Sequence, residues 1–569
     1  MNEHLKFAVP PTMTAPTAAI TRVDSKLLTD CSKCESNINV GIFFDGTNNN
    51  RKVDKPELKH SNVARLFDAY SDEPATAYFR SYIPGVGTAF PEIREVGTSK
   101  LGNGCGIGCE RRVLYGLLHV FNAIHMSAHN GDLLLTDAQV MALCCNYVVD
   151  VAEQPEDNAA LGSLGLTSGL GMPPLVGDGD RVKNLKTLAK RLEVALVKGR
   201  PRIKECFLDV FGFSRGAAEA RVFCSWLDEI LTEGKLAGVI VHFRFVGLMD
   251  TVASAGFFSS LGAAVTGADG GHSGWAESRY LRIPKSVQNC VHMIAAHELR
   301  KNFPLDTIID GGKLPPNCQE FVYPGTHSDV GGGYAPGELG IAFGPDKHAA
   351  DAHKLAQIPL NHMLECAIAA GAPLKRERAK DPGSTYDPFA LSSIVHKAYD
   401  DFVTYSTLKP RAVHEWLQPY LNWRWEVRKS YTSLNHVRKA NEKDRALLLD
   451  YNARLIADAA FLANPSKPPG ILKTMLMPVQ AAIQHLDAGR ARLFEEEASA
   501  ILAIAKAASP TEVRLHTMFD LFVHDSLAGF DHNSLELSGY WRYRRGFVGD
   551  AKRLVVENAA PTDANRVAA

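Results

Sequence analysis

Between Leu208 and Ala218 the chain reads LDVFGFSRGAA, a serine held between two glycines. Gly212, Ser214 and Gly216 fit the spacing G-x-S-x-G. An apolar run, FLDVF, stands immediately before that motif and a small-residue run, AAEA, immediately after it. Those surroundings suit a sharp strand-to-helix turn in which the serine occupies a strained backbone position and its oxygen is presented at the edge of a sheet. The residues two before and two after it must approach closely, so a Cβ at Gly212 or Gly216 would clash. The chemistry implied is attack by an alcohol on an electrophilic carbon.

A serine hydroxyl attacks only when a base removes its proton, usually a histidine held by a carboxylate. In sheets of this kind the chain order is serine, acid, histidine. Asp250 ends the apolar run VHFRFVGLMD, and His327 follows NCQEFVYPGT in the stretch HSDVGGGY. Asp250 also reads as a turn acid or helix N-cap, and His327 as an ordinary loop histidine. Asp329, two residues beyond His327, is the alternative acid, or a residue that orients the loop. An oxyanion hole needs two backbone donors. The N–H of Arg215 is one candidate, and Gly46, in the DGT turn after the first apolar run, is the other. Asp45 reads first as a turn-former; as a metal ligand, in a metallohydrolase with Asp329, it lacks a placeable companion. The reading requires no cofactor and no metal.

These side chains must be positioned by a sheet. From about residue 37 to 375, strand-like and helix-like stretches alternate: NINVGIFF (37–44), ATAYFRSYI (75–83), ECFLDVFG (205–212), VHFRFVGLMD (241–250) and NCQEFVYPG (317–325) read as strands. ERRVLYGLLHVFNAI, NLKTLAKRLEVALVKG and AAEARVFCSWLDEIL carry apolar residues at helical spacing. The fold class expected is therefore α/β: an alpha/beta-hydrolase-like, mostly parallel sheet with helices on both faces, plus a largely helical additional domain. The division expected is a flexible leader over 1–34, a hydrolase core with insertions over 35–375, and a mainly helical region over 376–508 that faces a membrane or forms a lid. A helical segment over 509–550 then packs back on the core, and a tail closes the chain at 551–569. Ser509-Pro510-Thr511-Glu512 reads as a helix start with a capping box.

Composition limits the alternatives. With 62 basic and 63 acidic residues the formal charge is -1, so there is no general field to collect nucleic acid, and none is expected as a partner. The first residues lack the pattern of a signal peptide. The uncharged stretches 158–177 and 251–268 are interrupted by glycine, and the first by proline, so neither reads as a membrane span. Eleven cysteines are scattered without matched spacing. Cys31/Cys34 and Cys105/Cys109 form short pairs, but reduced, buried thiols are the simpler reading. In VHDSLAGF, His524, Asp525 and Ser526 are adjacent in sequence, and neighbours of that kind rarely converge on one point; they read as helix-end and packing residues, with contact to the substrate as the alternative.

NVGIFFDGTNNN, YIPGVGT, FGFSRGAA, GLMDTV and PGTHSDVGGGY, in that order, resemble the hydrolase core of the first family of type VI secretion lipase effectors. The resemblance spans roughly 37–370 and resumes over 523–547, with 131–183 and 255–290 looking like variable insertions. It implies a phospholipase of the A type with a triad on Ser214, Asp250 and His327, the assignment also reached from chain order. It further implies synthesis in the cytoplasm and delivery by a type VI spike protein to the periplasm of a target bacterium. There the protein would act as an antibacterial toxin on membrane phospholipid, and a cognate immunity protein would restrain it. ILKTMLMPVQAAIQHL would then be a lid or membrane-facing surface, or simply core. The competing readings are a serine hydrolase of soluble esters or peptides, and a non-enzymatic secretion adaptor.

Overall fold

Runs rich in buried aromatic and β-branched residues form the longer strands, β1 (Glu35–Phe44), β2 (Tyr78–Ile83), β3 (Arg202–Phe213), β5 (Val239–Met249), β6 (Cys290–Ala295) and β8 (Cys318–Tyr323), with two-residue strands at β4 (Lys235–Leu236) and β7 (Leu305–Asp306). The structure, a computed structural model, describes residues 6–10, 20–25, 34–96, 108–145, 155–166, 178–253, 276–300, 303–463, 497–530, 540–548 and 551–554. The stretch 471–486, expected as lid or membrane-facing surface, lies outside these, as do Cys31 and Cys105. Among the described residues no helix is long and apolar enough to cross a membrane.

The main sheet runs β2-β1-β3-β5-β6-β8 with every neighbouring pair parallel, and the short β4 pairs antiparallel with β5. Register brings the carboxyl ends together: Phe44 pairs with Gly212, Phe213 with Met249, Met249 with Met293, and Ala295 with Tyr323. The chain leaves β1 to form β2 on one side, then returns to form β3 on the other. Such a reversal opens a crevice beyond the carboxyl ends of β1 and β3, where ligands bind in sheets of this type.

Strand residues alternate between two buried clusters, as the two-residue period of a strand requires. Phe43, Phe211, Phe213, Met249 and Met293 enter one cluster; Ile42, Phe44, Val210 and Leu248 enter the other. The helices that cover the sheet are α1 (Asn62–Ala69), α2 (Cys109–Ala128), α3 (Asp178–Leu196), α4 (Arg215–Ile230), α5 (His327–Gly331) and α6 (Gln357–Ala370). Beyond them come α7 (Ser393–Ser406), α8 (Val413–Val427), α9 (Glu442–Ala463) and α10 (Val513–Leu521). Helices α2, α3 and α4 supply Phe121, Leu188 and Phe223 to the second cluster. Helices α1 and α6 cover the first, and α7 to α10 extend it through Phe402, Trp416, Leu455 and Phe519. The helical part thus shares one core with a face of the sheet.

Four local features differ from the sequence reading. β6, Cys290–Ala295, was not among the expected strands, being a short, fully buried run with His292 inside it. Where the leader is described it is docked: Phe7 and Val9 are buried, the Phe7 amide donates to Arg411 O at 2.8 Å, and Val322 donates to Ala8 O at 3.0 Å. Helix α10 begins at Val513, with Glu512 in the cap position and no side-chain cap, so the expected capping box does not form. The stretch 509–550, expected as helical, also carries a strand. This strand, β9 (Gly546–Val548), runs parallel to β7 and antiparallel to β10 (Ala551–Leu554).

Candidate active site

Ser214 occupies the single-residue turn between β3 and α4, with φ 58° and ψ -124°. A non-glycine residue in that region is strained, and strain of this kind persists only where the surroundings over-determine it. The surroundings are visible. A Cβ on Gly212 would stand 2.4 Å from Gly216 O, and one on Gly216 would stand 2.3 Å from Phe44 O at the end of β1. The Ser214 amide donates to Met249 O at 2.9 Å, and Val252 N donates to Ser214 O at 3.2 Å. The turn is therefore clamped by the residues on either side of Asp250.

Asp250 follows β5 directly and is itself at positive φ, 43°. It is fully buried. Its Oδ2 lies 2.5 Å from His327 Nδ1, and its Oδ1 accepts from Ala295 N at 2.9 Å. His327 is not in a loop, as expected, but opens the short helix α5 after β8. Its ring packs against Phe213, the residue before Ser214, with centroids 4.6 Å apart. Gly331 makes room for that ring: a Cβ there would meet Phe213 Cε2 at 1.9 Å. Ser214, Asp250 and His327 thus gather at one end of the sheet, each just beyond the carboxyl end of a strand.

The electrostatics follow from burial, one guanidinium and the Asp250–His327 contact. Burial alone would raise the Asp250 carboxyl, but the Arg544 guanidinium and His327 outweigh it and hold the group well below the ordinary carboxylate range. Burial lowers the His327 imidazole from its ordinary 6.5, opposed by its bond to Asp250. The His327 imidazole is therefore neutral at neutral pH, with Nδ1 engaged by Asp250.

The alternative acid, Asp329, is otherwise occupied. Its Oδ2 accepts from Thr326 N and Oγ1, both at 2.9 Å, capping α5, and its Oδ1 lies 2.6 Å from His524 Nδ1. His524 stacks on Tyr334 with ring centroids 3.7 Å apart. Asp525 accepts from Tyr540 at 2.7 Å, while Ser526 donates to Glu298 at 3.2 Å. The three adjacent residues 524–526 are buried and turn to different partners.

Of the two expected oxyanion donors, Arg215 is the first residue of α4. The Gly46 amide differs from expectation. It donates to Asp45 Oδ1 at 2.7 Å, because the carboxylate folds back over its own turn. The Asp45 Oδ2 accepts from Tyr82 at 2.5 Å, so Asp45 does act as a turn-former. Burial pushes its carboxyl up to about 6, against the pull of Ser61, Tyr82 and Gly46.

Two residues next to the site were not singled out from sequence. Glu298, fully buried, accepts from the His327 amide at 3.1 Å and pairs with Arg300 at 2.8 Å. Burial works against its ionisation, but Arg300 prevails and the carboxyl falls to about 2. Arg544 bonds both oxygens of Asp250, each at 2.7 Å. Neither has a local signal, since each acts across long sequence separations; only the RYRRGF segment within the C-terminal resemblance pointed near Arg544.

Comparison with known proteins adds to this geometry. Among solved structures the chain is similar to an uncharacterized protein from Pseudomonas aeruginosa. The two are 24% identical over 96% of this chain and 85% of that one, with a TM-score of 0.69, a likeness of fold. A Tle1 effector bound to the VgrG spike of the type VI secretion system is 16% identical over 70% of this chain and 84% of that one. Its TM-score, 0.34, is too low to bear on the fold. No curated protein matches the chain. Residues 39–239 and 229–366 match the model of the catalytic domain of Tle1-like type VI secretion phospholipase effectors, which covers more than half of the sequence. The chain belongs to the Tle1-like family of type VI secretion phospholipase effectors.

Proposed function

We propose that this protein is a serine-dependent phospholipase of the A type that hydrolyses acyl esters of membrane glycerophospholipids. The observation that carries the reading is the strained Ser214 turn lying at the same sheet edge as the Asp250–His327 pair. In this mechanism Ser214 Oγ attacks the ester carbonyl while His327 Nε2, the nitrogen opposite the one bonded to Asp250, takes its proton. Asp250 fixes the tautomer and supports the imidazolium. The Arg215 N–H donates to the tetrahedral oxyanion; the Gly46 N–H joins it only if released from Asp45. Collapse expels the alcohol of the lysolipid, protonated by His327, and water then hydrolyses the acyl-enzyme by the same steps in reverse.

Family membership supports the setting. The protein is made in the cytoplasm, travels on a type VI spike into the periplasm of a target bacterium, and acts there at the membrane as an antibacterial toxin, with an immunity protein covering the site in the producer. The test is product analysis on vesicles of a mixed-chain glycerophospholipid. Wild type is expected to release free fatty acid and lysolipid, and Ser214→Ala, folded by circular dichroism, to release neither. Fatty-acid release by Ser214→Ala at the wild-type rate would overturn the nucleophile assignment.

A further inference from the structure

Asp250 and Glu298, which contact His327, and Asp329, two residues after it, each receive a partner from the C-terminal stretch: Asp250 from Arg544, Glu298 from Ser526 and Asp329 from His524. That stretch lies well beyond the residues matched by the catalytic-domain family, which end at 366. Its strand β9 is anchored on β7, with Leu305 N donating to Arg545 O at 2.8 Å, so the backbone beside Arg544 is fixed. Arg544 is buried, and its Nε donates to Phe303 O at 2.8 Å. Its two terminal nitrogens then meet the two oxygens of Asp250 as a fork. A fork of this kind fixes orientation as well as charge, which a lysine does not reproduce.

Among the described residues, three groups besides Arg544 bear on the Asp250–His327 pair. From the stretch after β6 come Glu298 and Arg300, which pair with each other at 2.8 Å and act on His327 in opposite directions. From α5 itself comes Asp329, paired with His524. That leaves Arg544 as the counter-charge of Asp250. Oδ2 is shared between the arginine and the histidine, so whatever the arginine withdraws from the carboxylate is lost to the imidazole.

We propose, resting on the serine-hydrolase reading, that Arg544 is a positioning residue supplied by the C-terminal segment: it holds the Asp250 carboxylate in register with His327 and sets the basicity of that histidine, so the catalytic core is complete only with the chain's end docked. Without the guanidinium, the uncompensated carboxylate favours a protonated His327, and the base is blocked at a higher pH than in wild type.

The experiment is the pH dependence of kcat/KM on a soluble short-chain ester for the full-length wild type, Arg544→Gln and Arg544→Lys, with folding checked by thermal melting. Arg544→Gln is expected to move the acid limb upward by about one pH unit, a loss of about tenfold below the limb beyond any change in the plateau. Arg544→Lys is expected to return the limb toward wild type by restoring charge, while kcat stays severalfold down with KM unchanged because the fork is gone. A folded Arg544→Gln with its limb at the wild-type position overturns the inference. Should Arg544→Gln not fold, Arg544→Lys decides: a wild-type kcat overturns the proposal. A purely structural arginine would lower the plateau and leave the limb in place. Fluorophosphonate labelling of the wild type separates the two levels. Without an adduct at Ser214 the serine-hydrolase reading itself fails; with an adduct and an unmoved limb, only the role of Arg544 fails.

Discussion

His524 Nδ1 lies 2.6 Å from Asp329 Oδ1, so the carboxylate two residues after His327 is held by a histidine from near the other end of the chain. The same carboxylate caps α5 through Thr326. Asp250 and Asp329 therefore face different histidines, and their variants should part company. Asp250→Asn is expected to lower kcat by about 10⁴-fold through loss of the correct imidazole tautomer. Asp329→Ala is expected to cost about 1–3 kcal/mol in stability, by orphaning buried donors, with a far smaller loss of kcat at temperatures where it is folded. Urea unfolding beside steady-state kinetics distinguishes them; equal losses of kcat would make Asp329 a partner in the chemistry.

The pH profile follows from burial. His327 is lowered from its ordinary 6.5, chiefly by desolvation. The proposed mechanism requires a neutral His327, so kcat/KM should fall on the acid side with a limb below 6.5. A limb above that value would mean that the Asp250 charge outweighs both burial and Arg544.

Asp45 supplies a pH dependence of stability. Its carboxyl is raised by burial to about 6 in the folded chain, above the ordinary 3.8. The folded state then holds a proton that the unfolded state has released. The stabilisation is complete below 3.8, shrinks as pH rises through 6, and is flat beyond. Relative to Asp45→Asn, which does not titrate, wild type should lose at most about 3 kcal/mol between those two values. Urea titrations of both proteins across this range measure it, and parallel curves would contradict the shift.

Gly216 tests the turn itself. A methyl group there would lie 2.3 Å from Phe44 O and 2.4 Å from Asp45 O, both backbone atoms that cannot rotate away. Gly216→Ala should destabilise by about 1–3 kcal/mol or more and displace the Ser214 turn, visible as a lower melting temperature with greatly reduced activity. A variant that melts and turns over like wild type would show the turn to be looser than the backbone contacts indicate.

The sheet and the Ser214, Asp250 and His327 positions were legible because each rests on a local signal: an apolar run that ends in a polar residue, in a fixed chain order. Glycine spacing around Ser214 likewise reports a purely local crowding. Other features depended on contacts between distant residues. The choice between Asp250 and Asp329 turns on which histidine each faces, and His524 comes from a stretch that reads only as packing. Gly46 lies against Phe213, beside Ser214 in the chain, yet the rotamer of its own neighbour Asp45 decides where its amide points. β6 escaped notice because a six-residue buried run carries no alternation. The docking of Phe7 against Trp416 and the fork of Arg544 on Asp250 leave no periodic trace at all.

Fluorophosphonate treatment of the full-length protein, followed by peptide mass spectrometry, asks whether the alcohol on the strained turn is an activated nucleophile. A single adduct on Ser214, absent from His327→Ala, is the expected result. An unmodified Ser214 in folded wild-type protein, or labelling that persists unchanged when His327 is removed, would contradict the proposed chemistry.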